Sequence, residues 1–253
     1  RTGILLSRVA TRLLVLTSLT LNLTSCSDRS SHSEEMPDTV ALHSVDLEEK
    51  IAADTFFSGL FKPLPPPGEH DWLANYPEEG ETFEQFLSSP GNSLDSLRSK
   101  IYILPMWKFM KGKSPSLDLL RQYTESYFTI PVKFLAPVKP ITGLFSPRMH
   151  HDYGNIQVHA GKILSYLLKR IPDDAYCIIG VTMMDLYPDP AWNFVFGYAA
   201  YQKRVGVFSF SRFDPSFYNK EDTTDHKLLL LRSCKVLTHE IGHMFGMAHC
   251  TAY

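Results

Sequence analysis

Apolar positions recur in two rhythms along the second half of this chain, and the switches between them outline its elements. Ile163, Leu164, Leu167, Leu168 and Ile171 return at three- and four-residue intervals, the mark of one buried helical face. Residues 157–171 are therefore expected to form an amphipathic helix that stops before Pro172. Residues 117–128 follow the same helical rhythm, whereas Ile101, Tyr102, Ile103 and Leu104 make a short run of strand type. Three further β-type runs occupy residues 176–186, 192–198 and 205–210. A last helix over residues 227–245 gathers Leu230, Leu231, Cys234, Leu237, Ile241, Met244 and Phe245 mostly into one stripe, at roughly 100° per residue, and sets His239 and His243 on about the opposite side. Strand, helix, several strands and a closing helix predict an α+β or mixed α/β domain: a twisted mixed sheet, a backing helix and one helix that carries chemistry.

The first hundred residues follow neither rhythm for long. Arg1, Arg8 and Arg12 precede an apolar stretch over residues 13–23, which is too short to span a bilayer as a helix. That outline fits a secretory or Arg-rich transit leader, and Leu23-Thr24-Ser25-Cys26 resembles a bacterial lipobox; a poorly ordered terminus is the plain alternative. Residues 27–38 are polar and read as a flexible linker. Two short helical pieces, residues 47–57 and 81–87, flank Pro63-Leu64-Pro65-Pro66-Pro67-Gly68, which forbids regular structure locally. The expected organisation is a leader-like segment and linker over residues 1–38, an extension packed on the domain over 39–98, and a catalytic domain over 99–253. Arg1 and Tyr253 both read as interior positions of a longer chain.

Composition narrows the partners. The 253 residues are 44% hydrophobic with a formal net charge of −2 and a pI near 6.6, so there is a core to bury and no field to draw polyanions. Nucleic acid is not an expected partner, no membrane partner is evident, and oligomeric state is not encoded in any visible pattern. Four cysteines, Cys26, Cys177, Cys234 and Cys250, are too few and too scattered for a disulfide framework. Cys177 and Cys234 lie in apolar runs and read as small core residues.

The chemistry concentrates in His239-Glu240-x-x-His243-x-x-Gly246-x-x-His249. Histidines at i and i+4 share a helix face and can close on one ion at about 2.0–2.1 Å. Gly246 permits the left-handed backbone that turns the chain sharply, so that His249 can join them. Three protein ligands leave a fourth zinc position for water, the arrangement of a catalytic site. Glu240 is the candidate general base: zinc lowers the pKa of bound water toward about 7, and a neighbouring carboxylate can take its proton and pass it to a leaving amine. A bare HExxH would arise by composition about 2% of the time, the extended motif roughly once in 25,000, and that difference decides for the metal site over solvated histidines. No acidic residue follows Glu240, so His249 is the third ligand on offer. His150, His151 and His159 read as surface or core polar residues. The expected function is zinc-dependent hydrolysis of peptide bonds in a peptide or protein substrate. A zinc-binding scaffold with an inactive cleft is the alternative.

The motif is that of the metzincin clan, and Cys250 directly after His249 resembles the archaemetzincin family. Residues 180–187, 192–197, 207–210 and 231–238 are similar to that family as well. The resemblance implies that His239, His243 and His249 hold a catalytic zinc, that Glu240 is the base, and that a second, structural zinc takes four cysteines of which Cys250 is the first. The next would fall at position 255. The methionine turn of the family would also lie past Tyr253, and Met244 and Met247, which precede the third ligand, read as core residues. A C-terminal subdomain is thus expected to be missing, with weak zinc binding and little activity in the 253-residue form. The resemblance further implies that the run at residues 192–198 lies beside the active-site cleft, where an extended substrate could pair with a sheet edge. It favours an intracellular setting, against the leader-like start, which favours secretion or anchoring.

Overall fold

The computed structural model describes residues 65–69, 72–89, 91–110, 112–139, 143–201, 203–249 and 251. The leader, the linker, the helical piece at 47–57 and Cys250 lie outside them. Two short helices, α1 (Trp72–Asn75) and α2 (Phe83–Ser88), precede the domain. The domain then runs β1 (Lys100–Met106), α3 (Leu117–Phe128), β2 (Val132–Phe134), β3 (Arg148–Met149), β4 (Ile156–His159), α4 (Ala160–Leu168), β5 (Ala175–Thr182), β6 (Asp185–Tyr187), β7 (Gly197–Ala200), β8 (Val205–Ser209) and α5 (His226–Met244).

The main sheet has the order β2-β1-β5-β8-β7, and a smaller one the order β3-β4-β6. In the main sheet all pairings are parallel except β7 with β8, which is antiparallel, with Gly197 opposite Phe208. Parallel strands covered on both faces must be apolar at every position rather than alternately, and β5 is buried at all eight of its residues. Successive side chains of β1 then divide between two cores. Ile101 and Ile103 join Phe128, Phe208, Leu237 and Ile241 on the side of α3 and α5. Tyr102 and Leu104 join Ile163, Leu164 and Leu167 of α4 on the other. The expected mixed α/β class and the strand at residues 101–104 are present, and Cys177, Cys234, Met244 and Met247 are core residues, 0–9% exposed. Among the described residues no helix is long and apolar enough to cross a membrane.

Several features differ from the sequence reading, among them that the run expected over 176–186 divides into β5 and β6, which lie in different sheets. The helix expected over 157–171 starts at Ala160, because the preceding residues form β4 and pair in parallel with β6. Gln157, fully buried, spends its side chain on Asp185 Oδ2 (2.9 Å) and on Arg148, whose Nε donates to it at 2.8 Å. The strand expected over 192–198 begins only at Gly197. Upstream, the carbonyls of Pro190 and Asn193 accept from the Arg148 guanidinium at 3.0 Å each, so a side chain takes the place of a neighbouring strand. Finally, α5 does not keep one buried and one polar face. Leu231 is 52% exposed, while every residue from Glu240 to Phe245 is buried, because the end of the helix is enclosed by β7, β8 and the segment after α2.

Candidate metal centre

Helix α5 begins at Asp225, whose carboxylate accepts from the Lys227 and Leu228 backbone amides at 3.0 Å each, a standard N-cap. It ends at Gly246, which has φ +89°. There the Gly246 amide donates to His243 O (2.8 Å) and the Met247 amide to Gly242 O (3.1 Å). This is the paired closure that a left-handed glycine makes at a helix end, and it folds residues 247–249 back toward the last turn.

The fold-back brings the three histidines together. One ring nitrogen from each of His239, His243 and His249 lies within 4.8 Å of the others, and His239 Nε2 and His243 Nε2 are 3.0 Å apart. Nδ1 of His243 is held by Met247 O at 2.7 Å, which fixes the proton there and turns Nε2 toward its partners. Burial, with His249 close by, pushes the His243 imidazole down to about 4 against the opposing pull of the Met247 bond. At neutral pH its ring is uncharged. The donor set thus fits a zinc ion.

Glu240, one residue from His239, is 5% exposed. Burial pushes its carboxyl up to about 8. It lies against β7. A Cβ on Gly197 would sit 2.5 Å from Glu240 Cδ and 2.7 Å from Cγ, so only glycine leaves room for this carboxylate. Gly197, in the 192–198 region, lies against Glu240.

Two residues at the site were not singled out by the sequence. The Tyr201 ring lies 4.9 Å from that of His243; burial, with Glu240, Glu78 and Glu81 nearby, pushes its phenol up to about 12, so it stays protonated. Glu78, in the segment before α2, has Oε2 2.6 Å from His249 Nδ1. Glu78 lies between the proline run and the helical piece expected over 81–87, and nothing in its pattern points across 171 residues to a histidine.

His150, His151 and Asp152 also place ligand-type atoms within 4.8 Å of one another. His150 is buried, while His151 and Asp152 are exposed. Burial and the neighbouring Arg212 charge push His150 down, while Asp185 and Asp152 pull the other way. His159 is half-buried where β4 passes into α4, its ring 5.0 Å from that of Tyr187.

Residues 148–252 match the model for peptidase family M54. The chain is 37% identical to Archaemetzincin-2 of Homo sapiens, over 80% of this chain and 65% of that protein. It therefore spans just under two thirds of that relative's length. Solved structures similar to it include the archaemetzincin of Methanopyrus kandleri (29% identity, TM-score 0.46, 61% of this chain and 77% of that one). A second is a protein of Methanocorpusculum labreanum described as a zinc-dependent peptidase (26% identity, TM-score 0.47, 59% and 83%).

Proposed function

We propose, from the match of residues 148–252 to peptidase family M54 and the 37% identity to Archaemetzincin-2 of Homo sapiens, that this chain belongs with the archaemetzincins and contributes the active site of a zinc-dependent peptidase, with Glu240 as general base and His239, His243 and His249 as ligands of the catalytic zinc. The observation that carries the reading is the convergence of three imidazole nitrogens beside a buried carboxylate seated on an edge strand. A second, structural zinc beginning at Cys250 belongs to the same proposal by family resemblance.

Zinc, when bound, supplies a Lewis acid and an acidified water. The chain's own groups do the rest. The Glu240 carboxylate takes a proton from the attacking water and delivers it to the nitrogen of the leaving amine. The tight seat under Gly197 keeps that carboxylate from swinging away. Strand β7 closes one edge of the main sheet, with β8 on its inner side. An extended peptide laid antiparallel along that edge would meet Phe196 and Tyr198, 43% and 42% exposed, as apolar surface for its side chains. This arrangement suits a peptide or protein substrate.

The test is Glu240→Ala assayed on a mixed peptide library beside the unaltered chain, with zinc counted per molecule. Hydrolysis should be lost while zinc stays. Undiminished hydrolysis removes Glu240 as base, and an unaltered chain that holds zinc yet cleaves nothing supports the scaffold reading instead.

A further inference from the structure

The third histidine stands apart from the other two. His239 and His243 are carried by a helix enclosed in the core, but His249 sits on the turned segment beyond Gly246, and its side chain is 41% exposed. An imidazole in that position has two rotatable bonds and two tautomers, and only one combination offers Nε2 as a bare lone pair facing its partners.

The segment before and through α2 is built onto this turn at several points. Glu81 Oε2 accepts from the Ala248 amide at 2.9 Å, and the Glu81 amide donates to His249 O at 3.4 Å. Gly80 packs so closely on Thr251 that a Cβ there would collide with its Oγ1. Phe86 of α2 is anchored in the core. Asn92 Nδ2 donates to Met244 O (3.0 Å) and to Tyr201 O (2.8 Å), tying the segment to the end of α5 and to the loop after β7. Between these anchors, the Glu78 carboxylate meets His249 Nδ1 at 2.6 Å, a charge-assisted contact distance.

We propose that Glu78 is a positioning residue for the metal centre: by accepting the Nδ1 proton of His249 it selects the tautomer and ring orientation in which Nε2 is presented to zinc. Met247 O does the same for His243 within its own turn. For His249 the corresponding acceptor comes from the other end of the chain. The extension before β1 is therefore part of the metal centre. A carboxylate on the distal nitrogen also raises the basicity of the ligating one, and loss of such a partner typically weakens metal affinity about 10- to 100-fold.

The inference rests on the zinc reading above, and the experiment separates the two. Zinc affinity is measured by chelator competition on the full chain and on Glu78→Ala, Glu78→Gln, Glu81→Ala and His239→Ala. The tautomer of His249 is read in parallel from long-range ¹H–¹⁵N correlations of the zinc-free protein. Glu78→Ala should lose about 10- to 100-fold in affinity and show mixed tautomers at His249. Glu78→Gln, whose amide oxygen still accepts the Nδ1 proton, should keep the tautomer and most of the affinity. Glu81→Ala, which frees a backbone amide but not the ring, should leave the tautomer intact. Affinity in Glu78→Ala that is unchanged or tighter overturns the proposal while leaving the zinc site standing. Equal losses in Glu78→Ala and Glu81→Ala, with an unaltered tautomer in both, reduce Glu78 to a structural tie and also overturn it. If the unaltered chain holds zinc no better than His239→Ala, the zinc reading falls and takes this one with it.

Discussion

Replacing Gly197 by alanine adds a single methyl group against the Glu240 side chain. The backbone accepts it, since Gly197 is not among the residues with left-handed φ, so the consequence is purely steric. The new carbon would stand 2.5 Å from Glu240 Cδ and 2.7 Å from Cγ, where ordinary contact starts at 3.4 Å. Because Cγ is the second carbon of the side chain, turning the carboxylate alone does not relieve the clash. Either the Glu240 side chain leaves its seat or β7 and α5 part by nearly an ångström. Overpacking of this kind costs about 1–3 kcal/mol, and a displacement of about 1 Å at a reacting group costs on the order of 10²-fold in rate. The ligand nitrogens belong to other side chains, so zinc content should hold. The assay is a urea denaturation midpoint, zinc per chain and turnover of a peptide library for Gly197→Ala beside Gly206→Ala. The latter methyl meets Ala199 Cβ at 3.3 Å and Met244 Cε at 3.4 Å, a mild contact. If Gly197→Ala is as stable and as active as Gly206→Ala, the carboxylate is not seated where the geometry puts it.

Asp185→Asn should cost about 3–5 kcal/mol in chemical denaturation, because Arg212, 3% exposed and paired to both carboxylate oxygens at 2.7 and 2.8 Å, would keep a buried charge without its partner; a loss under 1 kcal/mol would mean water reaches this pair. Gly246→Ala should destabilise by about 1–2 kcal/mol for the left-handed backbone alone and weaken zinc binding by moving His249, with the approach to Gly91 Cα at 3.2 Å adding to it; a neutral result would refute the turn as the device that delivers the third ligand. Burial pushes the Asp214 carboxyl up, but bonds from Thr224 Oγ1 and the Ser216 amide hold it below the ordinary carboxylate value. Its stabilising contribution is therefore present above the unfolded pKa and lost as pH falls through the folded one, below roughly pH 4. Acid titration of stability should be shallower in Asp214→Asn, and an identical slope would remove Asp214 from the account.

The parts of this protein legible in its sequence are those whose physics is local. Helical spacing found α3 and α5, and nearly uninterrupted apolar runs found β1, β5 and β8, because burial on one or both faces imposes a period that survives in the residue order. The zinc motif is local in the same sense: two histidines one turn apart and a glycine whose φ of +89° ends the helix lie within eleven consecutive residues. Boundaries failed where distant parts of the chain intervened, as Arg148 does for the carbonyls before β7 and β6 does by pairing with β4 just ahead of α4.

What the residue order could not convey is everything that depends on which distant surfaces meet. Gly197 looks like any strand glycine until β7 is laid against α5 and Glu240 fills the space a Cβ would take. Tyr201 and Glu78 carry no period and no spacing rule, and each acquires its place at the centre through contacts across many residues of chain. The three histidines and Glu240 stand in one short stretch, whereas their enclosure and the contact of Glu78 with His249 arise from packing. Such contacts are set by the three-dimensional path of the backbone, and they impose no repeat on the sequence.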